Sequence, residues 1–177
     1  MQILGLDIST NCGWAAGDSA DGPTFGTHVL PKVGRGVGLL SASYETWLTG
    51  KIQKHRPDLV MMEAPLPRDG PRTNFMTRYK LMGLCWETEK VCHVEQVKLC
   101  QWVPISTLKL FWTGHGHAKK AEMVNVAEQL GFDVGDDNQA DAIAAFCYGV
   151  QLHAPQDYKW DRMMGATTRS GPTTDAA

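Results

Sequence analysis

The sequence predicts an α/β fold: a mixed five-stranded sheet, with three antiparallel meander strands followed by parallel strands, and helices on both faces. Three observations support this class. Short apolar segments joined by glycine-rich breaks open the chain. A continuous apolar run bounded by prolines follows, as is typical of a strand buried on both faces. Segments with helical periodicity precede and follow that run, which predicts helices that cover the sheet.

The three meander strands are predicted at "QILGLD", "CGWAAG" and "TFGTHVL". A helix is expected from about Ser41 to His55, because its apolar residues recur on one helical side, although Gly50 weakens the pattern. The run "PDLVMMEAP" is the predicted fourth strand. The polar, Gly/Pro-rich segment "LPRDGPRTN" after it is a predicted loop.

The second half of the chain is predicted to be mainly helical. One helix starts at Phe75 and carries an apolar stripe of Phe75, Tyr79, Met82 and Trp86. The segment "KVCHVEQV" is the candidate fifth strand. "ISTLKLFWTG" indicates a short helix with Ser106 as N-cap and Gly114 beyond its end. "KKAEMVNVAEQLGF", ended by Gly131, and "NQADAIAAFCYGVQLH" predict two more helices.

The domain prediction is a single folded unit over 1–154 and a C-terminal tail over 155–177. The 177-residue chain is long enough to bury one substantial core. After residue 154 the periodicity is lost and the sequence becomes rich in Ser, Thr, Gly and Pro. We therefore expect the tail to be at least partly disordered.

The composition predicts a soluble, cytoplasmic protein that does not act at a membrane. There is no stretch of eighteen apolar residues and no charged-then-apolar leader at the N-terminus. The five cysteines form no CxxC pair, and an odd number without an export signal is typical of reduced thiols.

The net charge of −2 conceals a regional asymmetry. Residues 68–120 hold nine Lys or Arg against four acids, whereas residues 121–177 hold three against nine. This distribution predicts a polyanion-binding surface beside an acidic centre. Alternatively, these charges only solvate helix faces.

Three acids stand where predicted elements begin or end. Asp7 closes the first strand, Glu63 closes the fourth, and Asp141 lies near the start of the last helix. The first and fourth strands of such a sheet can be neighbours, which would bring Asp7 and Glu63 together. Gathered carboxylates repel one another, and Mg²⁺ bound by oxygen ligands is the usual solution. Two alternatives stay open: Asp7 as a turn residue, and Asn138 with Asp141 as a helix capping box.

Four segments resemble the RuvC-type Holliday junction resolvases of the retroviral-integrase/RNase H superfamily. They are "LGLDISTNCGWA", "LVMMEAPLP", "HAKKAEMV" and "NQADAIAAFCYG", and the likeness runs from about Gln2 to Gly149. The resemblance implies an RNase H-like fold. It also implies a homodimeric, magnesium-dependent endonuclease that resolves four-way DNA junctions by paired phosphodiester hydrolysis, nucleoid-associated and encoded by a bacterium or a phage.

The resemblance implies a metal site formed by Asp7, Glu63, Asn138 and Asp141, with two Mg²⁺ ions and Mn²⁺ as a substitute. Asn138 stands where the family more often has aspartate or histidine. An amide oxygen can ligate Mg²⁺ but brings no charge. The neighbouring Asp136 and Asp137 are candidates to compensate for it.

The resemblance also assigns basic residues to the DNA. Lys109 and Lys120 match the catalytic lysines that approach the scissile phosphate. The predicted DNA-binding residues are Arg68, Arg72, Phe75, Arg78, Lys80 and Lys119. For the lysines the alternative is a solvated helix start. For Phe75 it is packing in the core or in a dimer, and the helix with Met82 and Trp86 resembles the family's dimer helix.

Parts of the sequence also suggest three other functions. "LGLDISTNCGWA" also resembles the first phosphate loop of actin-like ATPases and sugar kinases, but those proteins are longer and need further glycine-rich motifs that this sequence lacks. A YqgF-type RNA-processing nuclease is a second alternative. A non-catalytic protein that binds junctions or DNA through an impaired metal site is the third.

Overall fold

The computed structural model describes residues 1–32, 36–64 and 74–160, which contain five β-strands and five α-helices. The strands are β1 (Gln2–Asp7), β2 (Asn11–Asp18), β3 (Gly22–Val29), β4 (Leu59–Glu63) and β5 (Leu99–Val103). The helices are α1 (Gly38–His55), α2 (Phe75–Val94), α3 (Ile105–Thr113), α4 (Lys120–Gln129) and α5 (Asp137–His153). None of the helices in these ranges is long and apolar enough to cross a membrane.

The strands form one mixed sheet in the order β3-β2-β1-β4-β5. β1 pairs antiparallel with β2, and β2 with β3, whereas β1–β4 and β4–β5 are parallel. The predicted fold class is therefore confirmed. In the β1–β4 register, Leu6 is the partner of Met62. Asp7 and Glu63 each follow by one residue, so they end neighbouring strands at the same edge of the sheet.

The core has one layer on each face of the sheet, because alternate side chains of a strand point to opposite faces. Leu4 and Leu6 pack with α1 and α2, and Ile3 packs with α3, α4 and α5. Helix α5 crosses β1 at Gly5, where a Cβ would overlap the carbonyl oxygen of Ala142. This close approach places the start of α5 at the edge where Asp7 and Glu63 lie.

The predicted strand "KVCHVEQV" is wrong. Helix α2 continues to Val94 and the fifth strand is Leu99–Val103. The buried side of α2 runs through Leu84, Thr88 and Val91, so helical spacing governs this segment. Gln96, with φ 58°, then lies in the turn between the helix and the strand.

Two helix starts also differ from prediction. α1 begins at Gly38 rather than Ser41, and α3 begins at Ile105 directly after Pro104, so Ser106 is not its N-cap. The predicted helix ends are confirmed: Gly114 and Gly131 have φ of 84° and 90°, the left-handed region that favours glycine after a helix.

The predicted tail begins with ordered packing. Pro155–Asp157 forms a short 3₁₀ helix, and Trp160 is buried with its ring edge-on to Phe146, 6.0 Å between centroids. The remaining residues of the tail, 161–177, lie outside the described residues.

Candidate active site

Asp7, Glu63 and Asp141 come together at one edge of the sheet. Asp7 and Glu63 end β1 and β4, and Asp141 lies one turn into α5, which packs across β1. The negative charge of Asp141 raises the pKa of both Asp7 and Glu63. The three carboxylates are thus close enough to repel one another, as the sequence predicted.

All three carboxyl groups have raised pKa values, and burial is the largest cause in each case. The pKa of Asp7 is well above its usual value, with further increases from the charges of Asp141 and Glu63. Burial and Asp141 raise the pKa of Glu63 to about 7. Burial and Asp137 raise that of Asp141 to about 6. The protein therefore brings three carboxylates together without enough positive charge to neutralise them.

This donor set fits a hard divalent cation. Carboxylate and amide oxygens are the ligands that Mg²⁺ prefers, and Mg²⁺ is commonly held by one or two carboxylates with waters and substrate phosphates. Among the residues that the structure describes, no group of three or more His, Cys, Asp or Glu side chains is arranged so that it could hold a metal ion. Three carboxylates with uncompensated charge are consistent with a cation whose other ligands are waters and substrate phosphates.

The start of α5 reaches this edge because β2 carries Gly13 opposite Asp7. A Cβ at Gly13 would overlap the carbonyl oxygen of Asn138, so only glycine allows this approach. With its amide nitrogen directed to the site, Asn138 donates to Asp7 Oδ2 at 3.1 Å and to the Asn11 carbonyl at 3.3 Å. Asn138 therefore contacts Asp7, here as a donor. To ligate a cation through Oδ1, its amide has to turn over.

The N-cap of α5 is Asp136, and the predicted capping box of Asn138 and Asp141 is wrong. Asp136 Oδ1 accepts from the Gln139 backbone N–H at 2.9 Å, and Asp136 Oδ2 accepts from Thr27 Oγ1 at 2.6 Å. Gln139 also donates through Nε2 to Thr27 Oγ1 at 3.2 Å. This network ties the first turn of α5 to β3 and leaves Asn138 and Asp141 available to the site.

Two of the predicted lysines border the carboxylates. Lys109 donates to the Ala118 carbonyl at 2.7 Å, and its charge lowers the pKa of Glu63 and Asp141. Lys120 forms an ion pair with Asp137, and its charge lowers the pKa of Asp7 and Asp141.

Lys119 stands at the N-cap of α4 with an exposed side chain. Its backbone N–H donates to Glu122 Oε2 at 2.6 Å, which caps the helix.

The predicted DNA-binding residues of the glutamate loop and α2 divide into two groups. Arg68 and Arg72 lie outside the described residues. Phe75, Arg78 and Lys80 lie in the first turns of α2. Phe75 is 73% exposed and stacks on Tyr79, with 6.1 Å between ring centroids and 14° between ring planes.

The apolar stripe of α2 does not belong to the core. Its four members are at least half exposed: Phe75, Tyr79, Met82 and Trp86. The core is instead contacted by another side of the helix, which carries Leu84, Cys85, Thr88, Val91 and Cys92. The stripe is therefore an exposed apolar face, and the expectation that it could pack in the core is wrong.

Sequence reasoning missed two contributors to the site. Gly13 carries a weak signal, because glycine inside a strand often marks a close backbone approach. Thr27 carries none, since it is 109 positions from the Asp136 that it holds.

Comparison with known proteins gives matches by structure alone. No protein-family model and no curated protein sequence matches the chain. The structure of Thermus thermophilus RuvC matches with a TM-score of 0.66 at 18% identity, over 89% of this chain and 98% of that chain. T. thermophilus RuvC in complex with Holliday junction substrate matches with a TM-score of 0.64 at 18% identity, over 82% of this chain and 90% of that one.

The yeast mitochondrial Holliday junction resolvase Ydc2 is also similar, with a TM-score of 0.57 at 12% identity. The match covers 81% of this chain and 75% of Ydc2. Together with the sheet order and the position of α5 across β1, these matches assign the architecture: the chain has the fold of the RuvC-type Holliday junction resolvases.

Proposed function

We propose that this protein is a divalent-metal-dependent endonuclease that resolves four-way DNA junctions by paired phosphodiester hydrolysis. The observation that carries the proposal is the group of Asp7, Glu63 and Asp141, whose pKa values are raised mainly by burial and further by neighbouring negative charges. This group stands at one edge of a fold shared with a RuvC that was solved in complex with Holliday junction substrate.

In this proposal Asp7, Glu63, Asp141 and the Asn138 amide oxygen would hold two Mg²⁺ ions. Bound Mg²⁺ supplies Lewis-acid stabilisation of the phosphodiester and lowers the pKa of the attacking water. The protein positions the strand to be cut, and Lys109 and Lys120 offset negative charge that develops on the phosphate. The expected products are nicks with 5′-phosphate and 3′-hydroxyl ends.

The basic residues that the resemblance assigns to the DNA are proposed to hold the arms of the junction through their phosphates. These are Arg68, Arg72, Arg78, Lys80 and Lys119. Since phosphate contacts release counterions, affinity for the junction should fall steeply as salt rises. Phe75, which is exposed at the start of α2, is proposed to stack on an unpaired base at the junction centre.

We further propose that the exposed face of α2 joins two copies into a dimer, since paired nicks across a junction require two active sites related by a two-fold axis. Tyr79, Met82 and Trp86 of this face are at least half exposed and form a larger apolar surface than a solvated helix needs, while Phe75 at its end is left for the DNA. Trp86→Glu should yield monomers in analytical ultracentrifugation. Leu152→Gln, which alters an exposed apolar residue of α5 on the other face of the sheet, should leave the dimer intact.

One observation favours a second function, a junction-binding protein without cleavage. Asn138 adds no negative charge to the site, and in the metal-free arrangement its amide nitrogen donates to Asp7. A site with one acid fewer binds cations more weakly, and such a protein could still hold junction DNA through its basic residues.

The test is to incubate the purified protein with a labelled four-way junction, a matched linear duplex and a structured RNA, each with Mg²⁺ or EDTA. The proposal predicts symmetric paired nicks in the junction alone, and only with Mg²⁺. Equal cutting of the duplex, or cutting in EDTA, would contradict it. Tight junction binding without cleavage in either Mg²⁺ or Mn²⁺ would support the binding protein, and cleavage of RNA alone would support a YqgF-type nuclease.

A further inference from the structure

We propose that Asp137 supplies to the cation site the negative charge that Asn138 lacks, and that Lys120 is its counter-ion until a divalent cation binds. This inference rests on the proposed function, since it concerns the same carboxylate group. It concerns a residue that the resemblance to the resolvases does not assign.

The two acids beside Asn138 have different roles in the structure. Both carboxylate oxygens of Asp136 are engaged, one by the Gln139 backbone N–H and the other by the Thr27 hydroxyl. Asp136 is therefore committed to capping α5 and tying it to β3. Of the two acids named as possible compensation for Asn138, this leaves Asp137.

Asp137 is placed on the active side of α5. It is the first residue of the helix and stands four positions before Asp141, a spacing that puts the two side chains on the same helical face. Asp137 thus lies on the side of α5 that carries Asp141, next to the edge where β1 and β4 end.

The partner of Asp137 is a cation that can leave. Lys120, in the first turn of α4, donates through Nζ to Asp137 Oδ2, and its side chain is 77% exposed. An ion pair with one exposed member is weak, so a divalent cation can replace the ammonium group at little cost. Lys120 is then released toward the phosphate that the proposed function assigns to it. Asp137 consequently acts as a positioning residue for Lys120 as well as a source of charge.

The test measures Mn²⁺ binding by electron paramagnetic resonance in the protein without DNA, so it does not depend on cleavage. Asp137→Asn should weaken Mn²⁺ binding about tenfold, as expected for removing one charge a few ångströms from the ion. Asp133→Asn is the control, because it removes one exposed acid from the loop before α5 and should change binding less than about twofold. Lys120→Met should tighten binding, because it removes the competing cation.

The decisive variant moves the charge by one position. Asp137→Asn combined with Asn138→Asp should restore Mn²⁺ affinity to within about twofold of the unmodified protein. Circular dichroism of each variant establishes that it is folded. If Asp137→Asn binds Mn²⁺ as well as Asp133→Asn does, or if the double variant is not restored, the inference fails while the proposed function stands. If the unmodified protein binds no Mn²⁺, both fail.

Discussion

The two ends of the central sheet treat their acids in opposite ways. At the end where β1 and β4 begin, Asp58 accepts from Lys98 Nζ at 2.6 Å and from the Gln2 backbone N–H at 3.0 Å, and both interactions lower its pKa. Asp18 has a lowered pKa because it accepts from the Ala20 backbone N–H and lies beside the N-terminal ammonium group.

At the end where these strands finish, Asp7, Glu63 and Asp141 have raised pKa values. At the first end, cations and backbone N–H groups neutralise the carboxylates. At the edge of Asp7, Glu63 and Asp141, the positive charge is too small to do so. Groups with perturbed pKa values cluster at functional sites, and a cation from solution is the missing partner that we propose.

The largest expected effect comes from exchanging one carboxylate at each end for an amide. Asp7→Asn should reduce junction cleavage by at least about a thousandfold, because a ligand shared by the proposed ions loses its charge. Junction binding, which depends on the basic residues, should persist. Asp58→Asn is the matched control and should cleave at the normal rate. Gel assays measure cleavage and binding for both variants. If Asp58→Asn loses as much cleavage activity as Asp7→Asn, the two ends of the sheet do not differ in function.

The next effect tests how α5 is held against the open edge. Gly13→Ala should lower the free energy of unfolding by about 2–3 kcal/mol, since its Cβ would overlap the Asn138 backbone. It should also reduce cleavage about a hundredfold by displacing Asn138 and Asp141.

Gly50→Ala is the control, because no atom lies within 4 Å of a Cβ there. In the interior of α1 it should raise stability by up to about 1 kcal/mol. Urea denaturation gives the stabilities, and equal results for the two glycine variants would contradict the proposed packing role.

The two ends should also respond oppositely to pH in the metal-free protein. The pKa of Glu63 is about 7 when folded, against 4.5 ordinarily, and that of Asp141 is about 6, against 3.8. A carboxyl whose pKa rises on folding contributes stability that is fully present below its unfolded pKa and is lost as the pH rises through its folded pKa. The unfolding free energy in EDTA should therefore fall by about 4 kcal/mol between about pH 5 and pH 8, with the larger share from Glu63.

Asp18 and Asp58 give the opposite dependence. Their pKa values are lowered, so their contribution is present above the unfolded pKa and is lost as the solution is acidified through the folded pKa. Denaturation curves across pH test both slopes. Glu63→Gln should reduce the fall and leave the part due to Asp141 and Asp7, whereas Asp58→Asn should leave the fall unchanged. A fall of undiminished size in Glu63→Gln would mean that Glu63 does not contribute to it.

The smallest effect concerns the tie between β3 and α5. Thr27→Val removes the hydroxyl that donates to Asp136 and should lower the unfolding free energy by about 1 kcal/mol. Cleavage should fall only severalfold, since Asp136 still caps the helix through the Gln139 N–H. The control is Thr24→Val, at another position of β3. It removes a hydroxyl that donates to the Ala16 carbonyl of β2. It should leave cleavage unchanged, so an equal loss of cleavage in both variants would exclude a specific role for Thr27.

Much of the fold could be predicted because its strands and helices have simple periodicities. The run ending at Glu63 is apolar on both faces, and the strand ending at Asp7 precedes a turn, so both carboxylates could be placed at strand ends before their contacts were known. The fifth strand was misplaced because Val91 and Cys92 satisfy a strand pattern and a helical stripe equally well. Packing of α2 on α1, in the cluster that contains Val91 and Cys92, decides for the helix.

The parts of the site that escaped prediction depend on contacts distant in sequence. Asp136 rather than Asn138 caps α5, and the hydroxyl of Thr27 on β3 holds the Asp136 carboxylate by donating a hydrogen bond to it. The stripe on α2 shows a similar limit. Periodicity identified an apolar face with Trp86 on it, but it could not say whether the sheet or another surface covers that face.

A crystal structure with Mn²⁺, with the ion located by its anomalous scattering, would test directly whether the edge carboxylates bind a cation. We expect anomalous peaks at the edge formed by Asp7, Glu63 and Asp141, and none beside Asp18 or Asp58. Ions at the end where β1 and β4 begin, or an empty edge beside Asp7 at millimolar Mn²⁺, would contradict it.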